Sequence, residues 1–163
     1  MSWAIVEQLH HGKPSMLGAA TGAVAGLVAI TPASGFAAPM TSIVLGFVVS
    51  PICYLFVTKV KSAFGYDDSL DAFGVHGVGG ILGAVLTGVL AVAAVGGDGK
   101  SGLIDGNPGQ VLTQLWGSLV CIAWCAIATF IILKIVDALI GLRVTGEEEI
   151  EGLDINLHGE TVH

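Results

Sequence analysis

The stretch PSMLGAATGAVAGLVAITPASGFAAPMTSIVLGFVVSPICYLFVT, residues 14–58, contains no Asp, Glu, Lys or Arg. Residues 72–97 and residues 106–133 form two further windows without these charged types. Each window is longer than the roughly 20 apolar residues that a helix needs to cross a bilayer core of about 30 Å. A soluble domain of this size would place charges along its helices, because their outer faces must contact water. The sequence therefore predicts an integral membrane protein.

The overall composition agrees with this prediction and excludes several other classes of protein. Of the 163 residues, 53% are hydrophobic and only 12% are charged. The six Lys and Arg residues form no patch, so we do not expect nucleic-acid binding. The three cysteines lie in apolar segments without His or acidic neighbours, so we expect buried packing thiols and no metal site. No nucleophile–base pair, metal cluster or phosphate loop is present, and we expect neither an enzyme nor a cofactor.

The pattern of apolar segments predicts an all-α membrane protein with four full transmembrane helices and a partial one at the N-terminus. The partial helix covers residues 1–11, and the full segments cover residues 15–31, 39–60, 69–95 and 110–142. We expect residues 1–145 to form the transmembrane region. The polar residues 146–163 then form a C-terminal tail.

The cations predict which way these segments point. Those on one side of the predicted membrane region are Lys13, Lys59, Lys61, Lys134 and Arg143. Lys100 stands alone on the other side. Because cytoplasmic loops of membrane proteins carry the excess of Lys and Arg, we expect the C-terminal tail in the cytoplasm.

His76 is the leading candidate for a functional side chain. It lies within DAFGVHGVGGILGAVLTG, residues 71–88, inside a charge-free segment. An ionisable group at such depth usually serves function, although a packing histidine bonded to a neighbouring helix is the alternative. His76, Gly80, Gly83 and Thr87 are spaced by four, three and four residues, so they share one helix stripe. Such a stripe either admits a close helix or borders a narrow passage. Desolvation there would keep the imidazole neutral.

Asp71 lies five residues before His76, near the start of the same segment. Asp68 and Asp71 have the spacing of a pair that caps a helix start, and capping is sufficient to explain Asp68. For Asp71, two interpretations stay open, a helix cap and a carboxylate at the mouth of a pore.

Thr31 ends a segment that stops short, because Pro32 breaks the helix directly after it. A helix that ends inside the membrane often marks a substrate path, to which Thr31 would offer its hydroxyl. The alternative is a terminal threonine that bonds only to its own backbone.

Three long motifs resemble the Amt ammonium transporters. GKPSMLGAATGAVAGLVAITPASGF, residues 12–36, is similar to the family's eighth helix, and DDSLDAFGVHGVGGILG, residues 67–83, to its tenth. LRVTGEEEIEGLDINLHGE, residues 142–160, resembles its cytoplasmic tail. The resemblance covers essentially the whole chain.

The resemblance implies transport of ammonium or ammonia across the cell membrane for nitrogen uptake, through a transporter or channel. It implies that His76 is the second of two paired pore histidines and that Thr31 borders the lower pore. Asp71 would begin the pore helix, and Ala72 and Phe73 would belong to the apolar cytoplasmic lining. Family members form homotrimers with one pore per subunit, and PII-type regulatory proteins dock on their cytoplasmic face.

The resemblance also implies that the chain corresponds to part of an eleven-helix fold. It begins late in the seventh helix, so the first pore histidine, the outer aromatic site and the phenylalanine gate have no counterpart in this sequence. We therefore expect that the chain alone does not conduct. Two alternatives are a non-transporting truncated subunit of a trimer and an ammonium sensor that acts through the tail.

Overall fold

The computed structural model describes residues 1–160, and residues 161–163 of the predicted tail lie outside the described part. Within residues 1–160 the secondary structure is helical. The α-helices are α1 (Ser2–His11), α2 (Met16–Ile30), α3 (Pro39–Leu55), α4 (Lys61–Phe64), α5 (Val78–Leu90), α6 (Ala93–Gly96), α7 (Gly109–Ile140) and α8 (Gly146–Glu151). Two 3-10 turns cover Thr31–Ala33 and Leu103–Asp105, and three π-helical segments cover Phe56–Val60, Phe73–Gly77 and Asp154–His158. The predicted all-α fold is confirmed.

Four helical spans of the described chain are long and apolar enough to cross a membrane. They are Met16–Ala33, Pro39–Phe64, Phe73–Leu90 and Gly109–Ile140. Their number confirms the prediction of four full transmembrane helices. The N-terminal α1 has 10 residues, and its interpretation as a partial transmembrane helix stays a prediction.

The third full transmembrane segment was predicted too long. The observed span Phe73–Leu90 is shorter than the predicted residues 69–95 at both ends. At its end, Ala91 adopts an extended conformation and pairs with Ala37 in an isolated antiparallel bridge. The Val92 amide donates to the Phe36 carbonyl at 2.9 Å. The helix therefore ends at Leu90, where the backbone turns to pair with the loop that follows α2.

Residues 1–119 form one compact unit in which α2, α3 and α5 pack against one another. Small or slender side chains fill the core, and Ala25, Ala29, Val49 and Cys53 are completely buried. α1 joins this bundle through Trp3, which lies edge-on to Tyr54 with 5.2 Å between the ring centroids. Small residues at the contacts permit the close approach by which membrane helices gain packing energy.

Residues 120–160 are the described part of a second unit, which contains the rest of α7, α8 and the final π-helical segment. α7 has no buried residue and is apolar on all sides, as suits a membrane span. Cys121 and Cys125 on α7 are accordingly exposed, whereas only Cys53 is buried as expected of all three. The tail begins with a capping box in which the Thr145 hydroxyl accepts from the Glu148 amide and the Glu148 carboxylate accepts from the Thr145 amide.

Candidate transport site

Asp68 organises the start of the segment that carries His76. Its Oδ2 accepts hydrogen bonds from the amides of Phe73, at 3.0 Å, and Gly74, at 3.3 Å. The first amides of a helix have no partner within the helix, so a carboxylate at this position stabilises the helix start. This bond pair explains why the helix begins at Phe73 rather than at Ser69. The capping role expected of Asp68 is present.

Asp71 has a different role from Asp68, because its carboxylate bonds to a lysine. Asp71 Oδ1 lies 2.7 Å from Lys61 Nζ, and the same ammonium group donates to the main-chain carbonyl of Asp68 at 2.6 Å. Asp71 is the one non-glycine residue of the described chain with a positive φ, at 55°. Its position as a pore-mouth carboxylate stays a prediction.

His76 lies in the π-helical segment Phe73–Gly77. Such single-turn π-helical segments are rare and occur frequently at functional sites. The neighbouring Gly74 and Val75 are buried, whereas His76 is exposed. Within the described residues no hydrogen bond to the imidazole is present. Both ring nitrogens are therefore available to a substrate or to another chain segment.

The stripe that begins at His76 divides into an open part and a packed part. Gly83 lies against the main chain of Ala29 in α2. Thr87 is buried, and its hydroxyl donates to the Gly83 carbonyl at 2.8 Å. The close-helix interpretation therefore holds around Gly83, while His76 itself is exposed.

Ala72 and Phe73 lie at the start of the same segment and are both exposed. The Phe73 ring meets Tyr66 edge-on, with 5.7 Å between the centroids. Phe73 also borders an apolar groove of about 260 Å³. The other residues that line this groove are Ile52, Phe56, Val78, Ile81 and Leu82.

Thr31 is apart from the other four predicted site residues. The turn Thr31–Ala33 packs against α5, where Pro32 shares a cavity of about 300 Å³ with Thr87 and Ala91. Thr31 therefore lies toward the C-terminal end of α5, and Asp71 lies at the N-terminal end of the span. The Thr31 hydroxyl donates to the Leu27 carbonyl at 2.7 Å, as the backbone-bonding alternative expects. Its oxygen can still accept a hydrogen bond.

Lys61 is the member of this site that sequence reasoning missed. Its charge served only to orient the membrane segments, although it ends up bonded to Asp71, ten residues later. A lysine just before a turn with several acidic residues was the available signal.

The described residues contain no group of three or more His, Cys, Asp or Glu side chains that could hold a metal ion.

Comparison with known proteins identifies one family across the full length of this chain. The model of the Ammonium Transporter Family matches residues 1–163. An ammonium transporter of Aquifex aeolicus is 52% identical over 163 residues, and one of Bacillus subtilis is 45% identical over 161 residues. The crystal structure of Saccharomyces cerevisiae Mep2 is similar with a TM-score of 0.80 and 35% identity over 90% of this chain.

These matches cover most of this chain but a minor part of each relative. The chain spans 38% of the Aquifex protein and 40% of the Bacillus protein. It covers 34% of the Mep2 chain. It thus corresponds to roughly two fifths or less of each relative's length.

Proposed function

Because this chain belongs to the ammonium transporter family, we propose that it contributes one side of an ammonium-conducting pore, with His76 as a pore histidine. The single observation that carries this proposal is the placement of His76. Its imidazole is exposed on a π-helical turn, within a span that contains no Asp, Glu, Lys or Arg after Asp71. Such a group in a membrane segment needs a functional reason.

The proposed mechanism separates the proton from ammonia. A narrow apolar passage excludes hydrated K⁺, because its water shell cannot be replaced there. Ammonium can instead pass its proton to an acceptor and cross as ammonia. A neutral imidazole has one donor and one acceptor nitrogen, so His76 would bond ammonia and relay the proton.

The other site residues take supporting roles in this proposal. Ala72 and Phe73 supply apolar lining at the end where the span begins, which the apolar groove beside Phe73 supports. Asp71 belongs to the turn that starts the span. Thr31 offers a hydroxyl oxygen on the opposite side of His76 from Asp71.

The complete pore would need more than these helices. Transporters built from inverted repeats hold their substrate between the two halves. Since the chain spans only about two fifths of its curated relatives, we propose that the pore also requires the equivalent of their remaining length. We further propose a homotrimer in the cell membrane with a cytoplasmic C-terminus, where a PII-type protein could dock.

The test is the replacement His76→Ala in the native protein, reconstituted in liposomes, with labelled methylammonium and K⁺ as permeants. We expect lower methylammonium flux or lower selectivity over K⁺. The control is His158→Ala, which removes an exposed histidine from the tail. Unchanged flux and selectivity in the His76 variant would refute the assignment. A wild-type protein without flux that co-purifies with longer family subunits would instead favour the non-transporting subunit.

A further inference from the structure

The ammonium group of Lys61 joins two parts of the chain at the start of the span Phe73–Leu90. Lys61 lies at the beginning of α4, and its Nζ contacts Asp71 Oδ1 at 2.7 Å and the Asp68 carbonyl at 2.6 Å. The Lys61 and Asp71 side chains are 29% and 31% exposed, so the pair is partly shielded from water. Neighbouring Lys59 is exposed, and no ion pair of this residue is present in the described part of the chain.

The contact with Asp71 stabilises an unusual backbone. Asp71 is left-handed, with φ of 55°, and its amide donates to the Asp68 carbonyl at 3.1 Å to close a tight turn. A positive φ is uncommon for a residue with a side chain, although Asp adopts it more often than most types, so contacts that hold this turn add to its stability. Lys61 bonds to both ends of this turn, the Asp68 carbonyl and the Asp71 carboxylate.

The same turn sets the direction of the π-helical segment. The Asp71 carbonyl accepts from the Val75 amide at 2.9 Å, and the Asp68 carboxylate accepts from the amides of Phe73 and Gly74. His76 follows Val75 directly. A change in the turn therefore changes the hydrogen bonds that fix the backbone immediately before His76.

We propose that Lys61 is a positioning residue for transport, which aims the His76 imidazole by clamping the turn from Asp68 to Asp71. This inference rests on the proposed function of His76. Lys61 does not contact the permeant. It acts through main-chain bonds, so loss of its charge misdirects the imidazole while the rest of the bundle stays packed.

The experiment measures methylammonium and K⁺ flux in liposomes that contain equal amounts of each variant of the native protein. Lys61→Met keeps the length of the side chain and removes its charge, and Lys59→Met is the matched control two residues away. We expect Lys61→Met to lower the maximal methylammonium flux roughly tenfold. This lies within the loss of about a hundredfold in rate that misplacement of a functional group by about 1 Å can cause. The ratio of methylammonium to K⁺ flux falls with it, which a mere loss of folded protein would not cause.

Two further variants test the clamp itself. Lys61→Arg retains the charge and restores most of the flux. Asp71→Asn combined with Lys61→Met is no worse than Lys61→Met alone, because both changes remove the same contact. If Lys61→Met does not accumulate in membranes, Asp71→Gly replaces it, since glycine accepts the positive φ but cannot bind the lysine.

The results separate the inference from the function on which it rests. Flux and selectivity of Lys61→Met, or of Asp71→Gly, equal to those of Lys59→Met would overturn the positioning role while ammonium transport stands. A lower flux in the double variant than in Lys61→Met would overturn it as well. Wild-type protein without ammonium flux would refute the proposed function and the inference together.

Discussion

Gly83 of α5 lies directly against the main chain of Ala29 in α2. A methyl group on Gly83 would lie 3.1 Å from the Ala29 Cα and closer still to its carbonyl oxygen. Ala29 is completely buried, so the backbone at this contact has little room to move. This contact fixes how closely the two helices approach on the far side of His76 from Asp71.

We expect Gly83→Ala to destabilise the bundle by about 1–3 kcal/mol, because overpacking a close contact forces the backbone to shift. Gly80→Ala is the control, since a methyl group there would meet only Val28 Cγ1, at 4.0 Å. Thermal unfolding in detergent measures both variants. Similar melting temperatures for the two would contradict this account of the contact.

Replacement of Asp68 tests the cap on the span Phe73–Leu90. Asp68→Ala leaves the Phe73 and Gly74 amides without their acceptor and should cost about 1 kcal/mol of unfolding free energy. Asp68→Asn keeps a side-chain oxygen and should cost less. The comparison requires denaturant unfolding of both variants in the same detergent. An alanine variant as stable as the asparagine variant would show that the cap contributes little.

Thr31, which directly follows α2, can be compared with Thr21 within α2, whose hydroxyl makes the same kind of backbone bond. Thr31 Oγ1 donates to the Leu27 carbonyl at 2.7 Å, and Thr21 Oγ1 donates to the Leu17 carbonyl at 2.9 Å. If Thr31 also serves the substrate path, Thr31→Val lowers methylammonium flux and Thr21→Val does not. Equal flux in the two variants would leave Thr31 only its bond to the backbone.

The tail should lose structure as the pH falls. A hydrogen bond from the Thr145 hydroxyl, followed by one from its amide, lowers the pKa of Glu148 below 4.5. The hydrogen bond from Arg143, followed by its charge, lowers the pKa of Glu149 in the same direction. A lowered pKa means that both carboxylates stabilise the fold above their ordinary pKa and cease to do so as the pH falls through the lowered values.

NMR chemical shifts of residues 146–151 in the whole protein measure this change. We expect the helical shifts of α8 to decline below the ordinary carboxyl pKa. Glu149→Gln removes the contribution of the Arg143 pair, so the remaining decline should be smaller. Helical shifts that stay constant through acid titration would exclude a stabilising role for these two carboxylates.

The sequence by itself determined the membrane architecture. Three windows free of charged residues predicted membrane-spanning helices. The four candidate membrane spans follow from that composition alone. It also singled out His76, because an ionisable side chain in such a window is conspicuous without any knowledge of its contacts. The tail helix begins at Gly146, and the division between a transmembrane region of residues 1–145 and the tail stays a prediction.

Only the tertiary structure decided which residue pairs with which. Asp68 and Asp71 look equivalent in sequence, but the Asp68 carboxylate caps the helix and the Asp71 carboxylate binds Lys61. The two side chains differ because Asp71 has a left-handed backbone conformation and Asp68 does not. The end of α5 at Leu90 depends on the bridge between Ala91 and Ala37, which lies 54 residues before Ala91. These features arise from contacts between distant segments and from backbone angles, which composition and spacing do not encode.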